Sequence, residues 1–123
     1  MLMSQEENTS KFVIRSYQPG KIQVNEQIFT TSIALLPSET LTAWNPQTVS
    51  ELTVADFDLF ISDQPEVLLI GTGERQHFFP LALLANIIDH QIGFEIMDTA
   101  AACRTYNLLA AEGRKVAAGL LIS

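Results

Sequence analysis

The chain predicts an α/β fold: one three-layer domain in which N-terminal antiparallel strands join a βαβαβ part, forming a central mixed sheet with flanking helices. Three observations predict it. Short apolar runs rich in β-branched residues and joined by brief turns fill the first third of the chain. Beyond them, apolar residues at helical spacing alternate with apolar runs of strand length, the pattern of strand–helix–strand units. Such units pair their strands in parallel through right-handed crossovers, whereas the leading turns are short enough only for antiparallel pairing.

The elements follow in order. Residues 1–11 are polar and acidic, offer nothing to bury, and read as a disordered tail, with 12–123 as the domain; that leader has neither the basic, apolar build of a signal peptide nor the arginine-rich build of a transit peptide. Phe12, Val13, Ile14 and Tyr17 make a first strand, stopped by Pro19-Gly20. Lys21-Ile22-Gln23-Val24 alternates as a second. After Asn25-Glu26, the run from Ile28 to Leu36 reads as one third strand, ended by Pro37. Trp44-Asn45-Pro46 then marks an irregular loop. Val54, Phe57, Phe60 and Ile61 fall at helical spacing with Asp56, Asp58 and Asp63 on the other face, and Pro65 closes that short helix. Val67 to Ile70 is continuously apolar, as a strand covered on both faces requires. Pro80 suits the first turn of a helix running to about His90. Gly93 separates it from the strand Phe94-Glu95-Ile96-Met97. A third helix opens at Asp98 or Thr99, both good caps, and ends at Gly113, before a last strand over 116–122.

With 123 residues, 47% of them apolar and 17% charged, the chain can bury a core. Its net charge of −7 repels phosphate and excludes nucleic acid and anionic membrane surfaces as partners. The one cysteine forbids an internal disulfide framework and fits a reducing compartment, so a cytoplasmic, bacterial protein is expected. No apolar run reaches the length of a membrane span.

Parallel strands place ligands in the crevice beyond their carboxyl ends, so the segments after 70 and 97 carry the candidate chemistry. Gly71-Thr72-Gly73 follows a strand, and its backbone N–H groups suit an anion. The dinucleotide fingerprint fails, because Gln76 stands where a third glycine belongs, and no Gly-Lys-Ser/Thr loop occurs. The plainer reading is that both glycines allow positive φ where a buried strand turns outward. In the second segment, Asp98, Thr99, Cys103, Arg104 and Asn107 open the third helix. Cys103 and Asn107 lie one turn apart on one face, where a helix N-terminus and Arg104 favour a thiolate. Against that, Cys103 follows Ala100-Ala101-Ala102, a surface for close packing, and a buried cysteine is an inert small hydrophobe. Arg75 and Arg104, if neighbours, give a basic pocket for a carboxylate or phosphate; alternatively Arg104 pairs with Asp98 or Glu112. Arg114, at the far end of the helix, is read as structural. No Gly-x-Ser-x-Gly, Cys-x-x-Cys or His-x-x-x-His occurs, so no catalytic residue, metal or cofactor is assigned. His77-Phe78-Phe79-Pro80 reads as core anchoring, and Trp44 as either a lid on the core or a partner-binding anchor.

Three stretches, Leu68-Leu69-Ile70-Gly71-Thr72-Gly73, the run from Met97 to Leu109, and Glu112-Gly113-Arg114-Lys115-Val116, resemble the Mth938-like domain family. The resemblance spans roughly 12–122 and is strongest from 67 onward. It implies a three-layer α/β fold with a central mixed sheet and no established catalytic residue. The family includes bacterial and archaeal proteins and a mitochondrial complex I assembly factor. Gly119 departs from it, standing where a larger small residue such as alanine is expected. A non-enzymatic binding or assembly module acting on an unidentified protein partner is therefore expected, with homo-oligomerisation through a sheet edge or the Trp44 loop as a further form. The alternative is a small-molecule or anion-binding protein using a crevice between the Gly71-Thr72-Gly73 turn and the third helix's N-terminus.

Overall fold

The computed structural model describes residues 11–123. The expected tail lies outside the described residues as far as Ser10. Three strands, β1 (Ile14–Gln18), β2 (Lys21–Val24) and β3 (Gln27–Phe29), form a small antiparallel meander. Turn chemistry explains it: Gly20 takes φ +87° after Pro19, and Asn25, tolerant of the left-handed region, takes +54°. The expected long third strand is broken in two. At Thr30–Ser32 the chain leaves the small sheet, and Gln47 Oε1 receives the Ser32 backbone N–H at 3.2 Å while Ser32 Oγ accepts from Ile122 N at 3.0 Å.

The chain then enters a second sheet as β4 (Ile33–Leu36) and β5 (Thr40–Ala43). The β5 strand has no counterpart in the sequence reading, which marks only Pro37 as a stop and Trp44-Asn45-Pro46 as a loop. It follows a three-residue turn that closes with Glu39 at φ +63°, the left-handed position that such hairpin loops use. β6 (Val67–Gly71), β7 (Gly93–Met97) and β8 (Val116–Leu120) complete the sheet in the order β5-β4-β8-β6-β7. β4 pairs antiparallel with β5 and β8, whereas β6 pairs parallel with both β8 and β7. This is the mixed sheet predicted.

Alternation divides the core. Leu69, Ala118, Leu120, Ile33 and Leu35 face one side, against β1, β2 and the helix α3 (Thr99–Ala111). Leu68, Ile70, Ala117 and Ala34 face the other, against Trp44, Phe57, Phe60, Leu84 and Ile87. The second face is covered by shorter helices than expected. A 3-10 turn, Val54–Phe57, leads into α1 (Asp58–Ile61), and another, Leu81–Leu84, leads into α2 (Ala85–Asp89). The Asp56 carboxylate starts the first by accepting both the backbone N–H and the hydroxyl of Thr53, at 2.8 and 3.0 Å. These segments bury only Phe57, Phe60, Leu84 and Ile87, and a tight one-turn helix suffices to seat one side chain per turn. Gln91, at φ +60°, ends the second; Gly93 is already paired with Val67.

The third helix runs from cap to cap as its sequence dictates. Asp98 Oδ1 accepts the Ala101 N–H at 2.8 Å. At the other end Gly113 takes φ +79°, and Gly113 N and Arg114 N donate to Ala110 O and Leu109 O. That pair of bonds is the Schellman closure. No helix among the described residues is long and apolar enough to cross a membrane.

Candidate functional site

Parallel pairing of Gly71 with Met97 brings the two candidate segments side by side. Their polar groups, however, face one another. Thr99, fully buried, accepts the Gly73 N–H at 2.8 Å and donates its hydroxyl to Leu121 O at 2.9 Å. Thr72 N donates to Met97 O, Thr99 N to Gly73 O, Glu74 N to Ser123 O and Leu121 N to Gly71 O. The Thr72 hydroxyl donates to Arg75 O at 2.7 Å and accepts the His77 N–H at 3.2 Å. The turn is a knot that fastens the exits of β6, β7 and β8. The N–H groups of Thr72, Gly73 and Thr99, expected to hold an anion, are taken by the Met97 carbonyl, the Thr99 hydroxyl and the Gly73 carbonyl, which corrects that assignment for Thr72, Gly73 and Thr99.

The two glycines have different reasons. Gly73 takes φ +103°. Gly71 does not; a Cβ there would stand 2.9 Å from Thr99 Cα, so its bare backbone lets α3 approach the sheet.

Asn107 is equally occupied. Its Oδ1 accepts Ile14 N at 2.9 Å and its Nδ2 donates to Ile14 O at 2.8 Å. A side-chain amide thus stands in for a neighbouring strand at the point where β1 carries a register shift between Ile14 and Ser16. Cys103 is buried beside it, and burial pushes its thiol up to about 12; Arg104 pulls downward and Asp98 upward by lesser amounts. Of the two readings of Cys103, the buried and inert one fits, because desolvation of a charged sulfur outweighs the nearby cation.

Ile14, Arg15, Ser16 and Tyr17 of β1 face Ala100, Cys103, Arg104 and Asn107 of α3 across an open cleft of about 200 Å³. Arg104 is exposed there, and among the described residues the one ion pair joins Arg114 to Glu66 at 2.7 Å, not Arg104 to Asp98 or Glu112. Arg75 does not line this cleft; it is exposed in the loop past the turn, which corrects the expected pairing with Arg104. The second arginine is Arg15, which sequence reasoning missed. It lies far from Arg104 in the sequence, and only the docking of β1 on α3 brings them to one cleft. Tyr17 closes one end, its hydroxyl donating to Ser123 O at 2.9 Å; burial, then Glu74, Cys103 and Asp98, push its phenol up to about 12.

Trp44 is a lid, not a partner anchor. It is 2% exposed, donates Nε1–H to Asp56 O at 2.8 Å, and meets Phe57 and Phe60 edge-on with centroids 5.8 and 5.6 Å away. Its ring lies on Gly119, where a Cβ would come within 2.7 Å of Trp44 Cη2. The departure at 119 is therefore a requirement of this lid. The aromatic pair divides: Phe79 stacks on Phe57 at 6.5 Å, while Phe78 is 91% exposed rather than anchored. Phe78 and His77 edge a larger cleft of about 410 Å³ with Thr48, Val49, Ser50, Thr72 and Ser123.

Known proteins share this architecture. A crystal structure from Bordetella parapertussis superposes with a TM-score of 0.85 at 37% identity, covering 94% of this chain and 98% of that one. A Bordetella pertussis protein described as a Mth938-like domain gives 0.78 at 32%, covering 93% and 87%. Among curated proteins, NADH dehydrogenase [ubiquinone] 1 alpha subcomplex assembly factor 3 of Danio rerio is 34% identical over 119 residues, 95% of this chain and 68% of that protein. The model of the family described as "Protein of unknown function (DUF498/DUF598)" matches residues 14–121. With that model covering most of the chain, the chain belongs to that family, and its solved relatives include a Mth938-like domain.

Proposed function

We propose that this chain is a non-enzymatic assembly module, binding a protein partner during construction of a respiratory NADH dehydrogenase. One observation carries the reading: 34% identity, over 95% of the chain, to a protein named as an assembly factor for that enzyme. The chemistry of the motif supports it. Thr72, Thr99 and Asn107 spend their polar groups on backbone, and Cys103 holds its proton, so the motif secures a fold rather than attacking a substrate. The partner surface belongs with Phe78 and Leu81, 91% and 57% exposed, rather than with Trp44. The cytoplasm remains the compartment we assign, on the single cysteine.

The test is deletion of the gene in its host, followed by NADH dehydrogenase activity and assembled enzyme in the membranes. Both are expected to fall severalfold and to return with the wild-type chain and with Cys103→Ala. Unchanged assembly on deletion would overturn the proposal. So would failure of a folded Cys103→Ala chain to restore it, which would point to thiol chemistry.

A further inference from the structure

We infer that the cleft between β1 and α3 is a carboxylate-binding site, with Arg15 and Arg104 as its two cationic walls. The inference stands apart from the assembly reading and does not depend on it.

The arginines argue first. Acidic residues outnumber basic ones 14 to 7 in this chain, so partners for a guanidinium are plentiful. Yet the described residues hold a single ion pair, Arg114–Glu66, and neither Arg15 nor Arg104 takes part in one. Both are exposed and both line the same cleft of about 200 Å³. The other strongly basic cleft, with Lys11, Arg114 and Lys115, differs: Arg114 is held by Glu66, and Lys11 lies over the Phe12 ring and donates to Glu39 O.

The rest of the cleft suits a small anion. Its floor, the Cys103 side chain, is buried and keeps its proton, so it presents no charge to repel one. Its width is fixed, because Asn107 grips Ile14 through donor and acceptor and the Tyr17 hydroxyl is tied to Ser123 O. A fixed spacing between β1 and α3 lowers the ordering cost of binding. The volume holds a head group and leaves the remainder of its bearer in solvent.

Charge selects the class. Glu74 and Asp98 both bear on Tyr17, and Asp98 bears on Cys103. Two carboxylates so near offset much of the arginines' positive charge, so a dianionic phosphate gains little from its second charge and costs more to desolvate than a singly charged carboxylate does. A carboxylate also matches the planar fork of arginine, which donates two parallel hydrogen bonds to its oxygens. Its source is either a free small acid or a glutamate side chain on a peptide.

The experiment is a proton–nitrogen NMR titration of the intact chain at constant ionic strength. Its probes are acetate, a doubly blocked Gly-Glu-Gly peptide and inorganic phosphate, with chloride as the balancing anion. Saturable shifts of the Ala100 amide and of the Arg15 and Arg104 Nε–H are expected with both carboxylates. Phosphate is expected to bind at least threefold more weakly. Arg15→Gln and Arg104→Gln should each raise the Kd at least tenfold, and Arg104→Lys, which keeps charge without the fork, severalfold. The peptide binding tighter than acetate assigns the site to a protein-borne acid; the reverse assigns it to a free one. Shifts that never saturate, that survive in both glutamine variants, or that favour phosphate would overturn the inference. Both arginines are exposed, so an unchanged thermal midpoint is expected to certify each variant as folded.

Discussion

At the scale of single residues, small side chains decide what fits. Gly119 supports the Trp44 ring, and a methyl group there would press on Trp44 and Phe60, at 2.7 and 3.1 Å. Gly119→Ala is therefore expected to cost about 1–3 kcal/mol, the usual range for overpacking a filled core. Denaturant midpoints check it. Cys103 gives a second expectation. Its folded pKa of about 12 exceeds the ordinary 9.0, so between those values the unfolded chain has released a proton that the folded chain retains. Unfolding then releases protons, and stability falls as pH rises above about 9, by at most about 1.4 kcal/mol per pH unit. Cys103→Ala should flatten this slope without abolishing it, because Tyr17, also raised to about 12, adds a like term above its ordinary 10.0. Urea titrations at pH 8 to 11 measure both slopes; a variant as steep as the wild type would mean that the thiol is not held neutral. None of this was legible at Gly119. The sequence shows a small residue in a strand, and only the crossing of Trp44 over it explains why.

At the scale of elements, the decisive joint is between β1 and α3. Asn107 satisfies both backbone groups of Ile14, and its removal leaves them to water or to nothing. Asn107→Ala is expected to cost about 2 kcal/mol. Hydrogen exchange should show faster exchange of the Ile14 amide while the amides of β6 and β8 keep their protection. Loss of protection everywhere would mean that the clamp holds the whole fold rather than one strand. Which elements the sequence disclosed follows from where their signals reside. Helix α3 carries its own start and stop, Asp98 and Gly113, and was read cap to cap. β6 and β8 are covered on both faces and read as unbroken apolar runs. α1 and α2 were expected longer, because apolar spacing does not distinguish a 3-10 turn from an α-turn over four residues. β5 escaped notice because its alternation, Thr40-Leu41-Thr42, is short and follows a proline turn.

At the scale of the whole molecule, the family motif is the fastening of a fold. The Gly71-Thr72-Gly73 turn and Thr99 close three strand ends on themselves, and what remains for partners is surface. The sequence located the two segments correctly because parallel strands end together, whatever their side chains do. It could not show that the N–H groups there are already taken, nor that Arg104's neighbour is Arg15 rather than Arg75, since both facts depend on contacts across the chain. Exposed Phe78 and Leu81 give the assembly reading its contact surface, and Phe78→Ser is expected to weaken partner binding at least tenfold while leaving the thermal midpoint within about 2 °C, as a surface change does. The most direct measurement is affinity purification of the tagged chain from its own host, with quantification of NADH dehydrogenase subunits by mass spectrometry. The chain is expected on incomplete subassemblies and absent from the mature enzyme, and Phe78→Ser is expected to remove it from the subassemblies. Subunits recovered no better than in an untagged control would contradict it.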